Sequence, residues 1–345
     1  MNAADWSSWR KPTPRTVWRV IVVVALALVV VFQARTLFVL FGGVLLAVFL
    51  KTCAEIVSSH TRLPYKVVVA ALVLSLVASI AAIVVVAGPH LVDQAAQLGR
   101  SLPPAVGQAM ERIRHALGAG GAFAVPRVDD LMPEAKSIVA GAQGAVTGSV
   151  ELVASLVIIV FIGLYGALDP KAYTRAALAL VPESRKERVE QVLAETGHRL
   201  GRWLLGRAVA MAFVGVTTAI GLYALHVPLA ITLGILAGVL AFVEYVGAVA
   251  SAVPPVLLAF GQSPGQALGV VLLFTGVHVI EGYVLTPLLA RRAVHFPPAY
   301  TLASQTLFGA LFGPLGLTFA TPTCIVGATI VELLYVQDVL GKRTV

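Results

Sequence analysis

Apolar residues arrive in long unbroken runs along this chain, without the alternation of a strand or the stripe of a soluble helix. Runs near 17–33, 36–54, 65–88, 146–168, 207–225 and 266–288 are about the length a helix needs to cross some 30 Å of hydrocarbon. They predict six full spans. Two further apolar stretches, 228–260 and 297–336, are too long for one straight crossing. At 1.5 Å per residue the first would extend roughly 50 Å. Glu244, Gly247, Pro254 and Pro255 interrupt it, and Gly309, Gly313, Pro314, Gly316 and Pro322 interrupt the second. Split at "EYVG", the arms of the first shorten to roughly 20–25 Å each. Each stretch therefore reads as a re-entrant helical hairpin, or as an equivalent pair of short spans. The fold class expected is all-α, a polytopic helical membrane protein.

The intervening segments are of a different kind. Residues 89–145 are mixed and rich in Gly and Pro, with Val106, Met110, Ile113 and Leu117 at helical spacing and a "GAGGAFAVP" linker. Residues 169–207 are the most charged part: Lys171, Arg175, Arg185, Lys186, Arg188, Arg199, Arg202 and Arg207 against Asp169, Glu183, Glu187, Glu190 and Glu195. Val189, Val192, Leu193, Thr196, Leu200 and Trp203 fall on one helical face there, so a basic amphipathic helix on the membrane surface is expected. The organisation expected is a scaffold at 1–88, an extracytoplasmic segment at 89–145, a fourth span at 146–168, a basic helix at 169–206 and a transport region at 207–345. The last divides into a span with hairpin 226–260 and a span with hairpin 295–336.

Composition fits this pattern. Hydrophobic residues make up 58% and charged residues 12% of the 345, where a soluble domain carries about 25% charged. A formal charge of +8 could point to nucleic acid, but in a membrane chain Lys and Arg gather in cytoplasmic loops facing anionic lipid. No nucleic-acid partner is expected. The charge distribution also sets orientation. Arg10, Lys11, Arg15 and Arg19 hold the N-terminus inside as an uncleaved anchor, and Arg62 and Lys66 fall inside after two spans. The balanced 89–145 segment falls outside, and Arg291, Arg292, Lys342 and Arg343 return inside only if both broken stretches enter and leave on one side. The expected location is the bacterial cytoplasmic membrane, with both termini cytoplasmic. Cys53 and Cys324 lie in apolar surroundings without metal-ligand spacing and read as small core residues. No His-Glu-x-x-His or phosphate loop is present, and no enzyme is expected.

The two broken stretches echo each other. At an offset of 69, His226, Pro228, Ala230, Thr232, Leu233, Ala241 and Gly247 meet His295, Pro297, Ala299, Thr301, Leu302, Ala310 and Gly316. Each copy follows a span, and the first enters from outside while the second enters from inside, which is an inverted-topology repeat. In such repeats the frayed helix ends meet near the midplane and offer backbone groups to a solute.

At these residues a family resemblance emerges. "HVIEGYVLTPLLARRAVHFPP", followed by "LFGALFGPLGLTFATP", resembles the C-terminal signature of the autoinducer-2 exporter family of PerM-like permeases. Glu281, Thr286, Pro287, Gly313, Gly316 and Pro322 match that signature. His278 stands where the family usually has Gln, and Glu244 where an Ile-Pro-x-x-Gly turn is usual. The resemblance implies transport of small solutes (a signalling molecule in some members, sodium–proton exchange in others) and a homo-oligomer, a pentamer in form.

The candidate pathway residues are Glu281, His278, Glu244, Thr286, Thr232 and Thr301. Glu281 and His278, three apart, share a helical face, and ionisable groups at membrane depth are costly to bury. With Glu244 they could form a proton relay, or else an interhelical clamp. Thr232 and Thr301 could donate hydroxyls to a solute or to their own backbone. Gly247, Pro254, Pro255, Gly313, Pro314, Gly316 and Pro322 are the expected hairpin breaks. "GILAG" (234–238) and "GALFG" (309–313) have the Gly-x-x-x-Gly spacing of close helix contact. His226 and His295 read as residues that open helices at a membrane edge. The function expected is secondary transport without a cofactor, with proton or sodium coupling, and the alternative is a passive channel or a structural assembly protein.

Overall fold

A computed structural model describes residues 33–82, 149–285 and 297–341, together with a few isolated positions. The span expected at 17–33, most of the 89–145 segment, Thr286, Arg291, Arg292 and His295 lie outside the described residues. Every regular element among the described residues is helical. In chain order they are α1 (Ala34–Thr61), α2 (Tyr65–Ala82), α3 (Ser149–Leu168), α4 (Pro170–Leu178), α5 (Lys186–Ala224), α6 (Ala230–Leu240), α7 (Val246–Gln262), α8 (Pro264–Ile280) and α9 (Pro298–Ile330). Wider π-type turns, Glu281–Leu285 and Val331–Gln337, extend α8 and α9. By length and composition alone, four helices among the described residues could cross a membrane, or five if the bent pair α3–α4 counts as one; α9 is among the four although it turns back at Gly313. Large apolar side chains such as Leu74, Ile220, Val249 and Leu272 stand exposed, as lipid-facing positions require.

The first three helices form one packed unit. Leu50 and Ala54 of α1, Val68 and Val69 of α2 and Ala167 of α3 share a buried cluster. Small residues let α1 and α3 approach closely: a Cβ on Gly43 would stand 2.6 Å from Ile162, and one on Gly163 2.7 Å from Leu46. The Tyr65 hydroxyl donates to the Ala167 carbonyl at 2.8 Å, tying the start of α2 to the end of α3. The chain then bends by 90° into α4. Asp169 caps the new helix by accepting from the Ala172 amide at 3.1 Å, and Pro170 occupies its first turn, where a missing N–H costs nothing.

The basic stretch and the fifth apolar run form one helix. No proline interrupts Lys186–Ala224, so α5 continues for 39 residues, about 58 Å at 1.5 Å per residue. Its arginines lie between Arg188 and Arg207, and the remainder to Ala224 is free of Asp, Glu, Lys and Arg.

Beyond α5 the chain makes two helical hairpins. α6 and α7 leave and return to the same end, because the Gln266 side-chain amide donates to the Leu225 carbonyl at 2.8 Å. The interruption falls at Ala241–Tyr245, where Tyr245 adopts φ 58°. Pro254 and Pro255, expected among the breaks, instead lie inside α7, which runs through them to Gln262. Membrane helices tolerate such prolines where neighbouring groups and local adjustment absorb the freed carbonyls. α9 turns sharply at Gly313 (φ 66°, ψ −151°), a conformation that favours glycine. Pro314 opens the return arm and Pro322 lies within it.

Both tips close on a glycine just beyond the turn. A Cβ on Gly247 would collide with the Leu240 carbonyl oxygen, and one on Gly316 with the Phe308 carbonyl oxygen. In a straight helix Phe308 and Gly316 would stand about 12 Å apart, so the two arms of α9 must double back. These two glycines are a matched pair at the 69-residue offset. Their absent side chains let each return arm cross the outgoing backbone. The two Gly-x-x-x-Gly pairs have different uses. Gly234 and Gly238 press α6 against Ala219, Gly215 and Met211 of α5, whereas Gly309 faces Leu317 across the second hairpin.

Candidate functional site

The tip of the first hairpin ends under Arg207. A helix finishes with carbonyls that have no intrahelical donor and with the negative end of its dipole. Two such carbonyls follow α6, at Ala241 and Phe242. Arg207 fills both needs: Nη2 donates to the Ala241 oxygen and Nε to the Phe242 oxygen, the latter at 3.2 Å. One turn earlier on α5, Trp203 packs edge-on against the Phe242 ring, with centroids 5.7 Å apart.

The same guanidinium faces two carboxylates. Arg207 Nη1 lies 3.4 Å from Glu281 Oε1 and 3.6 Å from Glu244 Oε1. The side chains of Arg207, Glu281 and Glu244 are 11%, 13% and 26% exposed. One cation thus meets two anions in a mostly desolvated setting, where charge interactions far exceed their strength in water. Glu281 opens the π-type turn that ends α8, and such turns recur at functional sites. His278, one turn before it, has Nδ1 2.8 Å from the Phe274 carbonyl. A carbonyl only accepts, so Nδ1 is the donor in that contact, and Nε2 is buried with no hydrogen-bond partner.

A parallel arrangement holds the end of α9. Glu332, in the second π-type turn, accepts from Arg199 Nη1 at 2.6 Å, and Arg199 Nε reaches Glu195 at 2.7 Å. Arg188 binds Asp338 at 2.6 Å and the Leu333 carbonyl at 2.7 Å. Both hairpin-bearing segments are therefore anchored on arginines of α5.

The structure brings together Glu281 and Glu244 from the sequence-derived candidates, with His278 one turn away. Thr232 lies in the first turn of α6, the far end of that helix from Glu244. Thr301 is buried in the first turn of α9. Sequence reasoning missed Arg207 as a site residue by counting it among surface charges. The signal was available: no Asp, Glu, Lys or Arg follows it until Glu244, and the two ends of that charge-free run meet. The "GQSPG" at 261–265 has the spacing of a nucleophile elbow. Its Ser263, however, caps α8 by accepting from the Gln266 amide at 3.1 Å, at a helix–helix junction rather than a strand-to-helix turn.

With helical hairpins, apolar spans and a buried charge cluster established, comparison with known proteins decides the family. A model described as "AI-2E family transporter" matches residues 20–335. The chain belongs to the AI-2E transporter family. Its relatives include "Putative transport protein YrrI" of Bacillus subtilis (strain 168), 26% identical over 204 residues, 58% of each chain. They also include "Putative transport protein MT0215" of Mycobacterium tuberculosis, 27% identical over 334 residues, 91% of this chain and 88% of that one. The chain spans about half the length of YueF of Bacillus subtilis, 27% identical over 179 residues, 52% of this chain and 48% of that protein. Membership supports a membrane transport role and a multi-pass helical protein.

Proposed function

We propose that this AI-2E family member is a secondary transporter that works by alternating access. It exports a small polar solute or exchanges a cation for protons. The α6–α7 pair and the two arms of α9 act as re-entrant hairpins of an inverted repeat, moving against a scaffold formed by α1–α3. The protein sits in the bacterial cytoplasmic membrane with both termini in the cytoplasm and assembles as a homo-oligomer. In this scheme Glu281, Glu244 and His278 line the ion path.

The observation that carries this reading is the Arg207 cluster. It joins a hairpin tip, a span and the long helix at a single cation, and it holds one more negative than positive charge when both carboxylates are ionised. A proton or sodium ion reaching Glu281 or Glu244 competes with Arg207 for the carboxylate. With Glu244 neutralised, Arg207 holds the tip through the Ala241 and Phe242 carbonyls alone; with Glu281 neutralised, the tip loses its tie to the end of α8. Either way the hairpin is freer to move. Ion binding is thereby coupled to movement through one shared side chain.

The test is flux into proteoliposomes under an imposed pH gradient, using sodium with an internal pH-sensitive dye and a panel of labelled small polar solutes. Saturable uptake that follows the gradient and falls at least tenfold in Glu281→Gln is expected. Flux that is unsaturable and indifferent to the gradient would overturn coupled transport.

A further inference from the structure

The second hairpin contains a polar group that the charge cluster does not use. Gln305 lies on the outgoing arm of α9 and is 1% exposed, yet neither its Oε1 nor its Nε2 has a hydrogen-bond partner. A buried amide without partners costs several kcal/mol in an apolar medium. Asn and Gln amides inside proteins are normally satisfied for that reason. An amide left open at both its donor and its acceptor has the form of a binding group awaiting a partner.

Its neighbours on the helix extend the feature. Thr301, Ser304 and Gln305 are all buried and occupy one helical face at three- and four-residue spacing. Ser304 returns its hydroxyl to the Thr301 carbonyl at 2.8 Å. Phe308 continues this face, and its carbonyl abuts Gly316 on the return arm. Counting back from that crossing, Gln305 stands about one turn before it and about two turns from the Gly313 tip, roughly level with Phe319–Thr321. Thr321 is buried there. Pro322 has no N–H to offer the Thr318 carbonyl four residues earlier. Leu302, Leu307 and Leu311, on other faces of the outgoing arm, are exposed.

Charge decides the class of ligand. No Asp, Glu, Lys or Arg occurs from Pro297 to Val331, so no charged side chain of this hairpin offsets the cost of desolvating an ionic solute, and a neutral one is favoured. We infer that Gln305, with Thr301 on the same face, forms a recognition site in the second hairpin for an uncharged solute that presents a hydrogen-bond donor and acceptor side by side. An amide or a vicinal hydroxyl pair has that form. This inference rests on the transport reading and assigns its two hairpins different tasks. The first handles charge at Arg207, and the second recognises the neutral polar cargo.

The test uses two thiol reagents that differ chiefly in charge, neutral iodoacetamide and anionic iodoacetate, on the full-length protein in liposomes. The background is Cys53→Ala with Cys324→Ala, into which Gln305→Cys, Thr301→Cys or the lipid-facing Leu307→Cys is placed. Rates are normalised to those of a free thiol in solution. The expected result is labelling of Gln305→Cys by iodoacetamide at least tenfold faster than of Leu307→Cys, and at least tenfold faster than by iodoacetate. Thr301→Cys should show the same preference, which keeps the test open if Gln305→Cys does not fold. The inference is overturned if neither position is labelled faster than Leu307→Cys, since the amide is then merely sealed in packing. It is equally overturned if both reagents label alike. Gradient-driven flux without selective labelling would remove this site and leave the transport reading standing. Selective labelling without flux would do the reverse.

Discussion

Replacing Arg207 by Met keeps most of the side-chain length and removes the guanidinium. The carbonyls of Ala241 and Phe242 lose their arginine donor, and an unsatisfied buried polar group costs about 1–3 kcal/mol. Glu281 and Glu244 lose their shared cation, and breaking a buried ion pair from one side costs about 3–5 kcal/mol. These costs overlap, and Glu244 at 26% exposure retains water, so the lower part of the range applies. Arg207→Met is expected to destabilise the protein by about 3 kcal/mol. The assay is unfolding in mixed dodecyl maltoside and dodecyl sulfate micelles followed by tryptophan fluorescence, to which Trp203 against Phe242 at the tip contributes. Arg207→Lys should recover only part of the loss, because an ammonium cannot serve two carbonyls and two carboxylates in one planar fork. Adding Glu281→Gln to Arg207→Met should cost less than the sum of the two changes, with a coupling of about 1–3 kcal/mol. A loss below about 0.5 kcal/mol for Arg207→Met, the range of an ordinary surface change, would refute the reasoning. So would strict additivity with Glu281→Gln.

Two further outcomes follow from the geometry. Gly247→Ala and Gly316→Ala each push a Cβ into a backbone carbonyl and should destabilise by about 1–3 kcal/mol in the same micelle assay. Gly276→Ala in α8 meets nothing within 4 Å and should be neutral or stabilising by up to about 1 kcal/mol. The Arg188–Asp338 pair is partly exposed, so a double-mutant cycle with Arg188→Ala and Asp338→Ala should return under about 1 kcal/mol and shrink as salt rises.

Much of the fold can be read from the spacing of apolar runs and charges. The broken stretch at 228–260 announces a hairpin because it is too long to cross once, and the tip falls at "EYVG" as that length requires. The second stretch offers Gly309, Gly313, Pro314, Gly316 and Pro322 as breaks, and only the backbone angle at Gly313 shows which of them makes the turn. Pro254 and Pro255 mislead, because the penalty for proline inside a soluble helix does not carry over unchanged to a membrane helix with close neighbours. The join between the basic stretch and the fifth run is hidden for another reason. A change from polar to apolar composition marks where the surroundings change, and a helix such as α5 can pass through that boundary unbroken. Glu281 stands out in the sequence as a lone acid in an apolar run. Arg207 does not, because its neighbours in sequence are other arginines while its partners in space lie 34 to 74 residues away.

The continuity of α5 has a mechanical consequence. Arg199 and Arg207 sit eight residues apart on one unbroken helix, about 12 Å along its axis. One grips Glu332 at the end of α9, and the other grips the α6–α7 tip and Glu281. On the alternating-access proposal, a rod that holds both hairpin segments at fixed stations would act as a connecting shaft. A slide or roll of α5 is delivered to both at once, and neither hairpin can travel far alone without breaking an arginine contact. Under that proposal the pair would have in effect one shared degree of freedom, set by α5.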